Sequence, residues 1–165
     1  LKVKEVGLLV VAPWLTAAFF VLGACFLSDA IYKKTNSLRK SRTHLIWVSQ
    51  VLSAFSLIAV TFSHELPLVI LFMSLGIAFG LAPNAAFYAI NSDLAKDRAA
   101  TSLGLMDCFL AAAGVLAPLL TGWMSQATGN FNSALWLMAG FTLTSSVCVF
   151  FLQHPDRDVA ELAAH

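Results

Sequence analysis

Residues 66–92, LPLVILFMSLGIAFGLAPNAAFYAINS, contain no Asp, Glu, Lys or Arg, and that run decides the class of the chain. A helix rising about 1.5 Å per residue needs roughly 20 apolar residues to cross a hydrocarbon core of about 30 Å. Four further stretches reach that length: 6–28, 45–63, 131–153, and 99–126, the last interrupted by the single charge of Asp107. Over the 165 residues, 59% are hydrophobic and 12% charged, with mean hydropathy +0.80. A soluble domain carries about 25% charged residues, so this composition excludes one. The expected fold class is all-α membrane, with five transmembrane helices at 6–31, 44–63, 66–92, 99–126 and 132–153. These form one bundle over 1–153, followed by a short polar tail, 154–165, expected to fray.

Net charge +1 says little, but its placement says much. Lys33, Lys34, Arg39, Lys40 and Arg42 lie between the first two helices, Lys96 and Arg98 between the third and fourth, and Arg157 after the fifth. The gaps around His64–Glu65 and residues 127–132 hold no Lys or Arg. The positive-inside rule places the basic gaps and the C-terminus in the cytoplasm, against the contrary Lys2 and Lys4. Trp47, Trp123 and Trp136 fall near helix ends, where amphipathic rings favour the headgroup region, while Trp14 lies deeper.

Lys2 and Lys4 followed by an apolar run ending at Leu22-Gly23-Ala24-Cys25 imitate a lipoprotein signal. The run is longer than a signal core of about 7–15 residues, and four more spans follow it, so the imitation fails. Cys25, Cys108 and Cys148 sit in separate spans with no close pair, which argues against disulfide or metal and for small core residues.

Two helices carry small and polar faces. Gly76, Gly80, Asn84, Tyr88 and Asn91 recur at helical spacing in the third helix, beginning with a GxxxG pair. Gly104, Asp107, Ala111, Gly114, Pro118 and Gly122 do so in the fourth. Glycines alone at such spacing indicate helix packing. The polar members change that reading. Pro83 removes a backbone donor beside Asn84, and a kinked polar face in mid-membrane suits a solute pathway. The competing role for Asn84 is an interhelical hydrogen bond.

Asp107 is the one charge deep in the spans, about eight residues inside its helix and so roughly 12 Å along the axis. Ionisable groups at such depth tend to be functional. It must be protonated, hydrated, or paired with a charge from elsewhere. Enzyme chemistry finds no matching set, because an intramembrane aspartyl protease needs two carboxylates and a rhomboid-type protease a deep His. Phosphate-loop and dinucleotide fingerprints are absent. No catalytic residue, metal, cofactor or nucleic-acid partner is expected.

The residues also carry a family resemblance. Pro13-Trp14, then Gly23 to Asp29, Lys33-Lys34 and Ser37-Leu38-Arg39-Lys40-Ser41-Arg42 resemble helix eight and loop 8–9 of the major facilitator superfamily, without the compact D-R-x-G-R form. Ser92-Asp93-Leu94-Ala95, Leu103-Gly104-Leu105-Met106-Asp107, Gly114, Pro118, Gly122, Thr128-Gly129 and Phe131 resemble its anion:cation symporter branch, the relatives of sugar-acid, phthalate and vesicular glutamate transporters. The resemblance implies helices eight to twelve of twelve, with helix seven and a six-helix half upstream of Leu1. It makes the two polar helices the family's cavity helices ten and eleven.

The resemblance further implies a secondary active transporter of an inner (plasma) membrane, with proton-coupled uptake of a small organic carboxylate by alternating access. Its expected partners are the lipid bilayer, the solute, a proton and the missing N-terminal half. Asn84, Tyr88 and Asp107 are the candidate substrate or coupling residues. Asp29, Arg39 and Lys40 are the candidate conformational loop, against a simple topology signal. One departure stands out, since the branch usually has Asn at the position of Asp107. Either Asp107 is protonated when an anion is bound, or the substrate is neutral or cationic. A non-transporting receptor or assembly module on a transporter scaffold is the alternative.

Overall fold

The computed structural model describes residues 3–157, with side chains from Val11 onward. Lys2 and the side chain of Lys4, with their contrary vote on topology, and the tail beyond Arg157 lie outside that description. The elements are helices α1 (Val3–Thr35), α2 (His44–Phe62), α3 (Leu66–Leu81), α4 (Pro83–Ala95), α5 (Ala99–Thr128) and α6 (Phe131–Leu152). A π-helical turn, Arg39–Thr43, leads into α2, and a 3₁₀ turn, Lys96–Arg98, joins α4 to α5.

Local chemistry explains where the helices stop. Asn36 takes φ 48° and ends α1, its N–H bonded to the Tyr32 carbonyl at 2.8 Å. Gly129 ends α5 at φ 64°, a left-handed conformation that costs a residue without Cβ nothing. Asn130 then caps α6, its side-chain oxygen accepting from the Asn132 N–H at 2.9 Å. The expected helix over 66–92 divides at Ala82 into α3 and α4. Pro83 has no N–H to give the carbonyl four residues back, so regular hydrogen bonding lapses there.

Four largely helical runs are long and apolar enough to cross a membrane: Val11–Thr35, Arg39–Phe62, Leu66–Thr128 and Phe131–Arg157. The third, 63 residues long, is a hairpin that reverses at Lys96, which holds φ 43°. That reversal reconciles four runs with five expected spans. Side-chain pairs show the antiparallel order: Tyr88 meets Asp107 and Asn91 meets Ser102 across α4 and α5, while Trp47 meets Phe150 and Phe62 meets Trp136 across α2 and α6.

The helices meet through small residues. Ala17, Ala54, Ala78, Ala82, Ala86, Ala134 and Ala139 are buried, and Ile46, Ala86 and Ile90 form a cluster between α2 and α4. In a bilayer, helices gain little from hiding Leu, so close backbone approach through small side chains drives association. Large side chains point outward instead: Phe26 is 75%, Phe109 71% and Leu152 78% exposed. So broad an apolar surface belongs in lipid rather than water. The chain is an integral, multi-pass, all-α membrane protein.

The helix packing is uneven. α2 packs on α3 and α6, and α1 on α3, whereas α5 touches α4 and α6 and buries none of its residues. The cysteine expectation needs correcting here: Cys25 is half-buried, but Cys108 and Cys148 are exposed rather than in the core. Both sit on α5 and α6, whose outer faces have no neighbour among the described residues.

Candidate functional site

The two glycine-rich stripes have different fates. Gly76 and Gly80 lie against α2, where a Cβ on Gly76 would stand 3.2 Å from the Leu57 side chain and one on Gly80 3.3 Å from the Ser53 hydroxyl. Ser53 donates to the Gly76 carbonyl at 2.7 Å, so this GxxxG is a packing seam. The stripe does not stay on one side of the helix. Each four-residue step overshoots a full turn by about 40°, so by Tyr88 the face has swung from α2 toward α5.

There α4 and α5 are joined by polar contacts. Tyr88 donates its hydroxyl to Asp107 Oδ1 at 2.5 Å, and one turn on Ser102 donates to Asn91 Oδ1 at 2.5 Å. Asn91 Nδ2 also meets the Met106 sulfur at 3.6 Å. The structure thus brings Tyr88 and Asp107 together, and gives Asp107 a partner that spacing alone did not assign. The Asn84 side chain, half-buried one turn from Tyr88, makes no hydrogen bond among the described residues. Asp107 is exposed on this side of the bundle, and around Gly104, Gly114 and Gly122 a Cβ would meet nothing within 4 Å. A small, polar face of α5 therefore stands open along its length.

The basic loop is a second organised region. Ser37 starts the helical turn that leads into α2, its hydroxyl oxygen accepting from the Lys40 N–H at 3.3 Å. The Asp156 carboxylate, from the turn after α6, completes the cap. It accepts from the Ser37 hydroxyl at 2.5 Å, the Leu38 N–H at 2.6 Å and the Arg39 N–H at 3.3 Å. A negative group at a helix N-terminus meets unpaired N–H groups and the positive end of the helix dipole.

Arg39 adds a bond to the Phe150 carbonyl at 3.4 Å, and Arg42 pairs with Asp93 of α4 beneath the Tyr32 ring. Ser28 of α1 donates to the Ser41 carbonyl at 3.2 Å. The start of the tail is thereby docked, with Pro155 buried, where fraying was expected.

Asp29 is exposed and its carboxylate makes no hydrogen bond or ion pair among the described residues, and the Lys40 side chain makes none either. The carboxylates that hold the loop are Asp156 and Asp93, which sequence reasoning missed. The available signal was the Ser37 cap pattern, which announces a helix start, but no spacing announces a partner 119 residues away. No group of three His, Cys, Asp or Glu able to hold a metal occurs among the described residues.

The family model described as "Major Facilitator Superfamily" matches residues 1–164. The hexuronate transporter of Bacillus subtilis is 28% identical over 162 residues, covering 94% of this chain and 37% of the relative. A probable sulfoacetate transporter of Cupriavidus necator is 26% identical over 142 residues, covering 82% and 33%. A probable galactarate/D-glucarate transporter of Bacillus subtilis is 31% identical over 161 residues, covering 96% and 35%. The chain spans about a third of the length of these curated relatives. No solved structure matches it.

Proposed function

Because this chain belongs to the Major Facilitator Superfamily, we propose that it supplies helices eight to twelve of a secondary transporter that takes up a small organic anion together with a proton. The missing helix seven and N-terminal half complete the cavity. Transport proceeds by alternating access, the two halves rocking about a central site. Three relatives are named for hexuronate, sulfoacetate and galactarate or D-glucarate, and this supports the organic-anion class. The reading contains no catalytic step and no cofactor.

The observation that carries it is the Tyr88–Asp107 hydrogen bond at the open face of the α4–α5 hairpin. An ionised Asp107 repels a carboxylate at close range. Protonated, the same group accepts from Tyr88 through its carbonyl oxygen and donates its O–H to a substrate oxygen. Anion binding is then favoured only when a proton binds too, and loss of that proton expels the anion. Asn84, one turn away and without a partner of its own among the described residues, offers an amide donor to the same solute.

The basic loop gives the reading its conformational part. Arg39 and Lys40 sit in a helix start held to the end of α6, while Asp29 remains available to the other half. The positive-inside rule supports a cytoplasmic side for these loops and the C-terminus, and the family resemblance supports a plasma (inner) membrane. The test is uptake in proteoliposomes by the full-length protein carrying Asp107→Asn, with and without a proton gradient. Uptake that no longer responds to the gradient supports the reading. Unchanged coupling and substrate range defeat the proton role and leave Asp107 a polar contact.

A further inference from the structure

A groove of about 640 Å³ runs between α1 and α2, floored by Phe79 and Ala82 at the end of α3. That volume lies within the roughly 300–1,000 Å³ of small-molecule sites. Its walls run from Phe19 to Ile31 on α1 and from Lys40 in the π-helical turn to Leu52 on α2, about 18 Å along each axis at 1.5 Å per residue. Half of a hydrocarbon core of about 30 Å is close to that length, so the groove spans one leaflet. Phe19, Leu27, Val48 and Leu52 expose apolar surface along it.

The polar groups concentrate at the end that carries the basic loop. Lys40 and His44 line that end. Arg42 is engaged by Asp93 and Arg39 by the Phe150 carbonyl, whereas the Lys40 ammonium has no carboxylate partner among the described residues. His44 Nδ1 accepts from the Trp47 indole at 2.8 Å, so the neutral ring carries its proton on Nε2, ready to donate. Asp29 does not neutralise this end. It is two positions from both Leu27 and Ile31, which puts it on the opposite face of α1 from the groove wall.

We infer that this groove binds an anionic phospholipid, with an acyl chain along the α1–α2 cleft and the phosphate on Lys40 and His44. An apolar channel one leaflet long with a cationic, hydrogen-bonding end matches an acyl chain joined to an acidic headgroup. A cationic group near the membrane surface favours an acidic lipid about fivefold.

The experiment uses the full-length transporter in phosphatidylcholine vesicles, with a Leu27→Trp probe in the groove. The added fluorescence is titrated with brominated phosphatidylglycerol or brominated phosphatidylcholine. The glycerol lipid quenches at about one-fifth the mole fraction, and Lys40→Gln abolishes that preference. Gly23→Leu adds a side chain where a Cβ meets nothing within 4 Å, so it fills the groove without a clash and reduces quenching by both lipids. Equal quenching by the two lipids, or a preference that survives Lys40→Gln, reduces the groove to ordinary annular contact and overturns the inference. So does an absence of quenching by either lipid, which shows protein covering the groove.

Discussion

Replacing Asp156 with Ala removes one carboxylate and three hydrogen bonds from the start of the helix that carries the basic loop. The group is largely exposed, so its charge is screened and the fitting scale is that of caps rather than buried ion pairs. Loss of a capping side chain costs about 0.5–2 kcal/mol, and a charge at a helix N-terminus contributes about 0.3–1 kcal/mol. Ser37 still caps the Lys40 N–H at 3.3 Å, which limits the damage.

A net loss of about 1–2 kcal/mol corresponds to roughly 5–30-fold more frequent local opening. Hydrogen exchange in the full-length protein reads this directly. The Leu38 and Arg39 amides are expected to lose about tenfold protection, while amides deep in α2, around Ser53, hold theirs. Asp156→Asn keeps an acceptor but not the charge and falls between. Unchanged protection at Leu38 and Arg39 would refute the cap. Equal loss along all of α2 would replace a local latch with general destabilisation.

Gly76→Val forces a branched side chain against Leu57, and overpacking of this kind costs about 1–3 kcal/mol. Thermal unfolding in detergent should fall accordingly, and an unchanged midpoint would show that α2 and α3 separate freely. Tyr88→Phe keeps the ring but deletes the donor to Asp107. Apparent KM for uptake should rise roughly three- to tenfold with normal expression, and a purely structural hydroxyl would lower protein yield instead. Gly114→Cys, with Cys25, Cys108 and Cys148 replaced by Ala, should react with an impermeant thiol reagent and be protected by substrate. Failure to react from either side would mean that another helix, rather than solute, covers that face.

Some of this molecule was legible from residue order alone, because a bilayer imposes its constraint locally. Each span must be long and apolar by itself, so the runs beginning at Leu45, Leu66 and Phe131 announce helices without knowledge of their neighbours. The lone charge of Asp107 stands out for the same reason, as does Pro83. Partnership is a different kind of quantity. Stripe spacing could not say that Gly76 serves α2 while Tyr88 serves α5, because the drift of a 3.6-residue helix becomes meaningful only once neighbours are in place.

Nor could it find Asp156 for Leu38, or Asp93 for Arg42, partners 118 and 51 positions away along the chain. What the sequence by itself determined is therefore the membrane class, the helical limbs and the isolated carboxylate within them. What only the tertiary structure decided is which carboxylate holds the basic loop, which glycines are seams and which side chain meets Asp107. The physical reason is that hydrophobic length and capping are properties of a contiguous segment. Hydrogen-bond partners and open faces are properties of helices brought together in space.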